Sequence, residues 1–305
     1  MNSRLYALNV GRGDSFFVEI ETGKDTYVLL IDGGDDYFDD SVKPIQFIRN
    51  KGWQHIDLMI LTHLHPDHVT GLLEVAEHIP VREAVLPYPP LEWEPGKYRH
   101  PKAAQSASVL SNYRTLQELL LKQNSNVSVR HPFGQKKDWQ FGDIVLRHLD
   151  PQHESDLFAY TNLLQLADSS PDIQEKRLVA FDSLSNLDSS VWLLEQSGGE
   201  QLFLFGGDAL LSNWERIMKT AHLHPRGFKI GHHGMLDAWN EQLLQQLSPD
   251  WLLITNHNAE YEQFREEWTR LAQNAGCQLF VTGSQPGTHH LASRLPFIPE
   301  RMELK

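Results

Sequence analysis

Short runs of β-branched and aromatic residues alternate along the first half of the chain with stretches in which apolar residues recur at helical spacing. The run at 56–62 is continuously apolar, which is typical of a strand buried on both faces. Strands are predicted at residues 6–10, 15–21, 26–31, 56–62, 81–86, 127–130 and 144–149, and helices at 41–51, 71–78 and 104–123. The segment 87–101 contains five prolines and predicts a long irregular loop, of a length that is uncommon unless the loop is functional.

The second half repeats this order of elements. Strands are predicted at 190–195, 201–205, 227–231, 251–255 and, as the final strand, 278–282, and helices at 212–221, 239–247 and 263–275. A doubly wound sheet would require stricter alternation of strand and helix from the first residue. The pattern favours an α/β fold in which two β-rich layers are covered by helices, an αββα sandwich, built as a single domain over residues 1–305 with two β-rich halves. The pattern at 154–177 is ambiguous, and an insertion is expected at about 152–180.

The composition is that of a globular protein, with 40% hydrophobic and 22% charged residues, and it excludes a disordered chain. The formal net charge of −13 argues against a broad basic surface that binds nucleic acid. The single cysteine, Cys277, excludes an intramolecular disulfide framework. No apolar stretch reaches the roughly 20 residues of a membrane helix, and the first residues lack the apolar region of a signal peptide. We therefore expect no membrane contact and a cytoplasmic location.

Three histidines and an aspartate follow the continuous apolar run within six residues: His63, His65, Asp67 and His68. In an extended segment, side chains two residues apart point to the same side, so His63 and His65 can share one cation. Pro66 turns the chain, so that Asp67 and His68 approach from another direction and can serve a second cation. Zinc binds imidazole and carboxylate groups, and a catalytic zinc site leaves one position for water. The alternative is that these residues only form a turn, with Asp67 capping the following helix.

Two later glycine-rich segments carry further candidate ligands. Asp208 follows the predicted strand 201–205 after two glycines, and its two oxygens can bridge two cations; the alternative is an ordinary turn at the end of a strand. His232 and His233 precede a glycine, and because neighbouring residues on a strand point in opposite directions, only one of them is expected to bind metal. We predict His233 as the ligand and His232 as a group that orients a ligand or donates to the substrate. Two solvated histidines on a turn are the alternative.

These segments resemble a known family. The chain contains five motifs in the order that is typical of the metallo-β-lactamase superfamily, and they lie at 8–15, 30–34, 63–68, 205–208 and 231–234. The Val-Gly-x-Gly-Asp-Ser of the first motif and the His-His-Gly of the last resemble the ComEC-like branch, which is named for the hydrolase domain of a DNA-uptake competence protein. The resemblance runs from about residue 5 to residue 282. It implies the metallo-hydrolase αββα fold and two divalent metal ions, with Zn²⁺ as the first choice and Mn²⁺ as the alternative.

The resemblance also implies which residues hold the metals. One metal is assigned to His63, His65 and Asp208, and the other to Asp67, His68, Asp208 and His233. Asp32 would orient the histidine motif from behind, and Asp14 would lie nearby on the glycine turn.

The chain departs from the superfamily pattern in three places. The segment 185–190 contains no histidine where the superfamily supplies a further ligand, and ComEC-like relatives similarly carry an asparagine there. Asn186 and Asp188 are the candidates to complete the first metal site. Met235 stands where a serine usually follows His-His-Gly, and Arg12 replaces a small residue between two glycines. The guanidinium of Arg12 is a candidate contact for a phosphate.

These features predict a dinuclear metal-dependent hydrolase, in the first place a phosphodiesterase or nuclease-like enzyme in which a hydroxide that bridges the metals attacks phosphorus. Asp67, Asp208 and His232 are the predicted catalytic residues. The net charge favours a phosphorylated small molecule, a nucleotide or a short nucleic-acid strand over long duplex DNA. Trp93 and Tyr98, in the proline-rich loop, are candidates to stack on a base, although a solvated loop or one that covers a dimer contact is the alternative.

Two other functions stay open at the level of the sequence. A lactonase or lactamase would use the same metals to hydrolyse a C–O or C–N bond, and the missing histidine slightly disfavours this reaction. A sensor or assembly subunit of a multi-protein bacterial system would retain the metals, bind a ligand and a partner protein, and turn over no substrate.

Overall fold

The computed structural model describes residues 2–23, 25–35, 41–91, 93, 96–130, 132–134 and 136–303. The strands are β1 (Asn2–Leu8), β2 (Phe16–Thr22), β3 (Asp25–Ile31), β4 (Ile56–Ile60), β5 (Val81–Leu86), β6 (Asn126–Val129), β7 (Asp138–Phe141), β8 (Ile144–Asp150), β9 (Val191–Gln196), β10 (Gln201–Phe205), β11 (Gly227–Lys229), β12 (Trp251–Ile254), β13 (Gln278–Val281), β14 (Thr288–Arg294) and β15 (Glu300–Glu303). The helices are α1 (Pro44–Lys51), α2 (Pro66–His78), α3 (Pro101–Lys122), α4 (Tyr160–Leu163), α5 (Pro171–Leu184), α6 (Leu211–Ile217), α7 (Glu241–Leu247) and α8 (Asn258–Asn274), with short 3₁₀ turns at Glu154–Asp156, Ser185–Asp188 and His232–Gly234. Among the residues described, no helix combines the length and the hydropathy that crossing a membrane requires.

The strands form two mixed sheets. The order is β15-β14-β1-β2-β3-β4-β5-β6 in the first sheet and β13-β12-β11-β10-β9-β8-β7 in the second. Strands β1 to β3 and β7 to β10 pair antiparallel with their neighbours in sequence. Strands β3 to β6 and β10 to β13 pair parallel, because each of these connections crosses over through a helix or a long segment.

The central strands are apolar on both faces. On β3, Leu29 and Ile31 enter the core between the two sheets, whereas Val28 and Leu30 pack beneath α1, α2 and α3. The second sheet shows the same division, and its outer face is covered by α6, α7 and α8. The layers therefore run helix, sheet, sheet, helix, which confirms the predicted αββα sandwich.

Several element boundaries differ from the predictions. Helix α2 begins at Pro66 and not at residue 71, because proline fits the first turn of a helix, where its missing N–H is not needed. Strand β7 was missed, since four residues carry too little pattern to identify a strand. The expectation that 278–282 is the final strand is wrong: β14 and β15 follow, and β14 pairs with β1 at the edge of the first sheet.

The ambiguous segment 154–177 folds as a 3₁₀ turn, helix α4 and the first half of α5. Helix α5 packs against α3, where Ser106 Oγ donates to the carbonyl oxygen of Leu178 at 2.9 Å. Asp182, near the end of α5, has its Oδ2 2.8 Å from the Nζ of Lys102 in α3. This segment therefore extends the helical layer of the first sheet as far as the loops that carry the predicted ligands.

Candidate metal centre

The loops that follow β4, β10 and β11 meet at one end of the sandwich and bring the predicted ligands together. After β4 come His63 and His65, then Asp67 and His68 in the first turn of α2; after β10 comes Asp208, and after β11 comes His233 in the 3₁₀ turn. In open α/β sheets the carboxyl ends of the strands are the usual place for a binding site. The convergence brings together side chains that are up to 170 residues apart in the sequence.

His63, His65 and Asp208 form the first group, in which one potential ligand atom of each lies within 4.8 Å of the others. His63 Nε2 lies 3.1 Å from His65 Nδ1 and 3.8 Å from Asp208 Oδ2. The Nε2 of His65 faces the backbone carbonyl oxygen of Asp182 at 3.1 Å. Because a carbonyl oxygen can only accept a hydrogen bond, the proton of this neutral ring is on Nε2. The lone pair of His65 Nδ1 therefore points towards His63 and Asp208.

Asp67, His68 and His233 form the second group, and Asp208 stands between the two. His233 Nε2 lies 3.2 Å from Asp67 Oδ2 and 3.3 Å from Asp208 Oδ2. His68 Nε2 lies 3.4 Å from Asp208 Oδ1. Each group thus has a histidine within 4 Å of the Asp208 carboxylate, which is the arrangement that a bridging ligand requires.

Several polar atoms of these ligand groups are buried without a hydrogen-bond partner. His68 Nε2, His233 Nε2 and Asp208 Oδ1 are buried and have no hydrogen-bond partner within the described part of the chain. Such atoms are costly in a protein interior unless something else binds them. Two atoms bound tetrahedrally to zinc at about 2.0–2.1 Å lie roughly 3.3 Å apart, close to the separations of 3.1–3.8 Å between these side chains. The residues present therefore fit two divalent cations, and the mixture of imidazole and carboxylate suits zinc.

Asp32 holds His68 from behind. Its Oδ2 lies 2.9 Å from His68 Nδ1, and the carboxylate accepts hydrogen bonds from the backbone N–H and the hydroxyl of Thr62 at 2.8 and 2.7 Å. Gly33 then passes so close to α2 that a Cβ on it would lie 2.3 Å from the backbone nitrogen of Leu72. The Asp-Gly-Gly segment thereby fixes both the ring of His68 and the position of α2.

Lys229 belongs to the site, although the sequence pattern did not single it out as a site residue. Its fully buried Nζ lies 2.5 Å from Asp14 Oδ2 and 3.6 Å from Asp208 Oδ1. Asp14 accepts a hydrogen bond from the hydroxyl of Thr255 at 2.6 Å, and its Oδ1 lies 3.5 Å from His233 Nδ1. The signal that could have identified Lys229 was a charged residue at the end of a short strand whose three residues are all buried.

Ser189 is a second residue that sequence analysis missed. Its Oγ accepts a hydrogen bond from the backbone N–H of Asp208 at 2.8 Å and lies 3.4 Å from His63 Nδ1. Gly207, with a φ of +49°, approaches so closely that a Cβ on it would lie 2.4 Å from Ser189 Oγ. A hydroxyl beside a glycine therefore sets the distance between the loop that carries Asp208 and the ring of His63.

Burial and charge shift the pKa values of the histidines in opposite directions. Burial lowers the pKa of His63 and of His65, so both rings are neutral. Burial would also lower the pKa of His68 and His233, but Asp208 and its neighbouring carboxylates outweigh it and raise the pKa of His68 well above its usual value and that of His233 to about 10. In the absence of a cation, the protonated rings of His68 and His233 therefore offset part of the negative charge of the surrounding carboxylates.

The two groups lie at the floor of an open cavity of about 480 Å³, and Arg12 and His232 are among its lining residues. The Nδ1 of His232 lies 2.9 Å from Asp237 Oδ1, and its side chain is 20% exposed. The fully buried His233 belongs to the second ligand group, whereas His232 stands at the mouth. His233 is the histidine that was predicted as the ligand, although both residues lie in a 3₁₀ turn and not on a strand.

Asp188 faces the helical layer. Its Oδ2 accepts hydrogen bonds from the hydroxyl of Tyr88 at 2.7 Å and the N–H of Tyr160 at 2.9 Å, and its Oδ1 accepts one from the N–H of Ala159 at 3.0 Å. These hydrogen bonds hold the carboxylate of Asp188 in the helical layer, and Asp188 is in none of the ligand groups among the described residues, so its role at the first metal site stays a prediction. Asn186 also remains a candidate for that role, since its Oδ1 is buried and lacks a hydrogen-bond partner among the residues described.

The expectation that Trp93 and Tyr98 stack on a base beside the metal site is wrong. Trp93 is 7% exposed and lines a separate apolar cavity with Leu110 and Tyr113 of α3. The hydroxyl of Tyr98 donates to Gln174 Oε1 of α5 at 2.9 Å. Neither ring is among the described residues that line the metal-site cavity.

Comparison with known proteins supports the fold. A family model described as the metallo-beta-lactamase superfamily matches residues 8–158. The metallo-beta-lactamase fold protein YhfI from Bacillus subtilis is 12% identical, with a TM-score of 0.50 over 92% of this chain and 97% of that chain. Yeast PDE1 is 11% identical with a TM-score of 0.48 over 92% and 97% of the two chains, and a diphosphatase of the PhnP family is 11% identical with a TM-score of 0.43 over 91% and 94%. No curated protein matches the chain.

The family model matches part of the chain, whereas the likeness in fold extends over almost all of it. The match includes the histidine motif of the first half, and the likeness to YhfI, which concerns the fold alone, extends over almost the whole chain. The matching family model describes the superfamily and names no branch, so the ComEC-like resemblance stays a prediction. Residues 8–158 are therefore similar to the metallo-beta-lactamase superfamily, and the likeness to YhfI shows the metallo-β-lactamase fold over almost the whole chain.

Proposed function

We propose that the chain is a hydrolase that uses two divalent cations to cleave phosphodiesters. The observation that carries the proposal is the pair of ligand groups, which share Asp208 and contain buried imidazole nitrogens that have no hydrogen-bond partner among the described residues. Arg12 and His232, both hydrogen-bond donors, line the cavity above these groups. Donors at the rim favour an anionic substrate over a neutral lactone or lactam, and the motif resemblance to the ComEC-like branch points the same way.

When two divalent cations are bound, zinc in the first place and manganese as the alternative, they supply Lewis acidity and lower the pKa of a water towards about 7. The side chains of the protein determine where this happens. Asp208 fixes the spacing of the two groups, and Asp67 presents an oxygen from the first turn of α2, where the helix dipole stabilises a carboxylate. Both remain proposed catalytic residues.

His232 is the proposed donor to a non-bridging oxygen of the phosphate. Asp237 Oδ1 accepts a hydrogen bond from Nδ1 of this ring at 2.9 Å, and Nε2 donates to the phosphate when both ring nitrogens carry a proton. A phosphate held between Arg12 and His232 would place its phosphorus above the ligand groups. No nucleophilic side chain is required in this arrangement.

The proposal is tested by metal content and turnover together. Protein purified without added metal is analysed by mass spectrometry, and hydrolysis of bis(p-nitrophenyl) phosphate is then measured with and without a chelator. We expect about two divalent ions per chain, chelator-sensitive turnover, and loss of turnover in Asp208→Asn. The matched control is Asp250→Asn, which removes the same charge from an exposed ion pair with Arg226 at the start of β12, outside the ligand groups.

Other outcomes would replace this proposal. Turnover of lactones or lactams without turnover of the phosphodiester would assign the C–O or C–N reaction. Bound metal without turnover of any of these substrates would favour the sensor or assembly subunit.

A further inference from the structure

Arg12 and His232 line the metal-site cavity, Lys102 contacts the lining residue Asp182, and each of the three side chains lies beside a carboxylate. Arg12 Nη1 lies 3.3 Å from Glu260 Oε1, and Lys102 Nζ lies 2.8 Å from Asp182 Oδ2. The third is His232, held by its aspartate as described above. The positive charges of Arg12 and Lys102 are therefore each matched by a neighbouring carboxylate.

Carboxylates outnumber cations in the lining itself. Asp35, Asp182 and Glu260 line the cavity above the ligand groups, whereas Arg12 is the one arginine or lysine among the described lining residues. The whole chain carries a formal net charge of −13. Because the Debye length is about 8–10 Å at physiological salt, carboxylates on this rim act directly on the neighbouring phosphates of a bound polyanion. A single phosphate at the floor of the cavity avoids most of that repulsion.

Arg12 is arranged to exchange its partner. It lies between Gly11 and Gly13, both at positive φ, and its side chain is 41% exposed. Its contact with Glu260 joins one guanidinium nitrogen to one oxygen at 3.3 Å, while Glu260 Oε2 is buried and has no hydrogen-bond partner in the described ranges. A phosphate can instead accept two parallel hydrogen bonds from a guanidinium, which is the stronger geometry.

We propose that this rim restricts the substrate to a small diester with a single negative charge, which Arg12 binds by releasing Glu260, and that the rim carboxylates exclude nucleic-acid strands. This inference rests on the proposed function, because it names the substrate class for the same site. It narrows the earlier range of a phosphorylated small molecule, a nucleotide or a short strand to the small diester.

The first experiment measures binding and needs no turnover. Fluorescence anisotropy of a labelled oligothymidylate is followed at low salt for the wild type, for the rim variant Asp182→Asn/Glu260→Gln and for the control Asp250→Asn. We expect the rim variant alone to bind the strand, in a salt-dependent manner. Binding by the wild type equal to that of the rim variant would overturn the exclusion.

The second experiment measures KM for bis(p-nitrophenyl) phosphate. Loss of the Arg12 contact in Arg12→Ala is expected to raise KM roughly tenfold, as for a charge-assisted hydrogen bond. Glu260→Gln is expected to lower KM, because a competitor for the guanidinium is removed. An unchanged KM in both variants would overturn the exchange at Arg12. If the metal-loaded wild type hydrolyses no phosphodiester at all, the proposed function fails, and the anisotropy result still decides whether the rim excludes a polyanion.

Discussion

The buried pair of Lys229 and Asp14 offers a direct test of how the centre is held together. The Nζ of Lys229 is fully buried, lies 2.5 Å from Asp14 Oδ2 and 3.6 Å from Asp208 Oδ1, and donates to the carbonyl oxygen of Gly207 at 2.6 Å. Lys229→Met keeps most of the side-chain volume and removes the charge. It leaves the buried carboxylate of Asp14 without its nearest cation and removes the charge that lies 3.6 Å from Asp208 Oδ1.

The expected loss in the free energy of unfolding follows from the burial of both charged groups. Breaking a buried ion pair by removing one partner costs about 3–5 kcal/mol, because the other charge stays buried and uncompensated. Replacing both partners in Asp14→Asn/Lys229→Met removes that uncompensated charge, and the amide oxygen can still accept from Thr255. We therefore expect the double variant to lose clearly less stability than the two single variants together, with a coupling energy of at least about 2 kcal/mol.

Urea denaturation of the chelator-treated proteins measures this coupling without any contribution from metal. The control is Lys219→Met, which makes the same change at an exposed lysine just beyond α6. A metal titration of the folded variants gives a second measurement, and we expect Lys229→Met to lower the affinity by about 10–100-fold, as for residues that orient ligands. Additive single-variant losses together with wild-type metal affinity would refute the argument.

Three further predictions concern the ligand groups. Because the pKa values of His68 and His233 are raised in the metal-free site, cation binding near pH 7 should release about two protons, measured by calorimetry in buffers of different ionisation enthalpy; no release would contradict the assignment. Alanine at Asp208 or His65 should abolish turnover while the circular dichroism spectrum stays that of the wild type, and full activity in both variants would exclude the mechanism. Gly33→Ala should destabilise the fold by several kcal/mol in a urea titration, because its Cβ would meet backbone atoms of α2, whereas a change of under about 0.5 kcal/mol would mean that the two segments can separate.

The sequence predicted the candidate ligands better than the elements that support them. The histidine motif directly follows a continuous apolar run, and local spacing alone shows that its side chains can converge. Alternation along a strand predicted only that one of the two later histidines binds metal, and the adjacent glycine led to the choice of His233; both residues in fact lie in a 3₁₀ turn. Such predictions depend on residues that are adjacent in the sequence, where the geometry of the backbone is known in advance.

The supporting contacts depend on residues that are distant in the sequence. Ser189 reaches Asp208, and the carbonyl oxygen of Asp182 reaches His65 from a helix 117 residues further along the chain. No periodicity or spacing encodes such pairs, since they arise only when the layers pack. The prediction that Trp93 stacks on a base had the same weakness. A large aromatic residue in a long loop is consistent with a ligand contact, and only the packing of α3 shows that this side chain is buried.

Each ligand ring is fixed on the side away from the cluster, so the site should persist without metal. His65 donates to a carbonyl oxygen, His68 to Asp32, and the Nδ1 of His233 contacts Thr255. In the metal-free state the protonated rings of His68 and His233 supply the positive charge. A histidine whose pKa is raised in the folded state stabilises the fold fully below its unfolded pKa of about 6.5, and this contribution is lost as the pH rises through the folded value.

The raised pKa of His233 makes the stability of the metal-free protein fall as the pH rises. With a folded pKa of about 10 for His233, chelator-treated protein should stay folded near pH 6 and lose stability progressively between about pH 6.5 and 10. Metal-loaded protein should not show this loss, because the cation replaces the protons. Urea midpoints across this range, for both forms and for His233→Gln, measure the effect, and the variant should show a smaller loss in the chelated form. A chelated wild type that is unfolded at pH 6 would mean that the cation organises the fold itself, as in a structural zinc site.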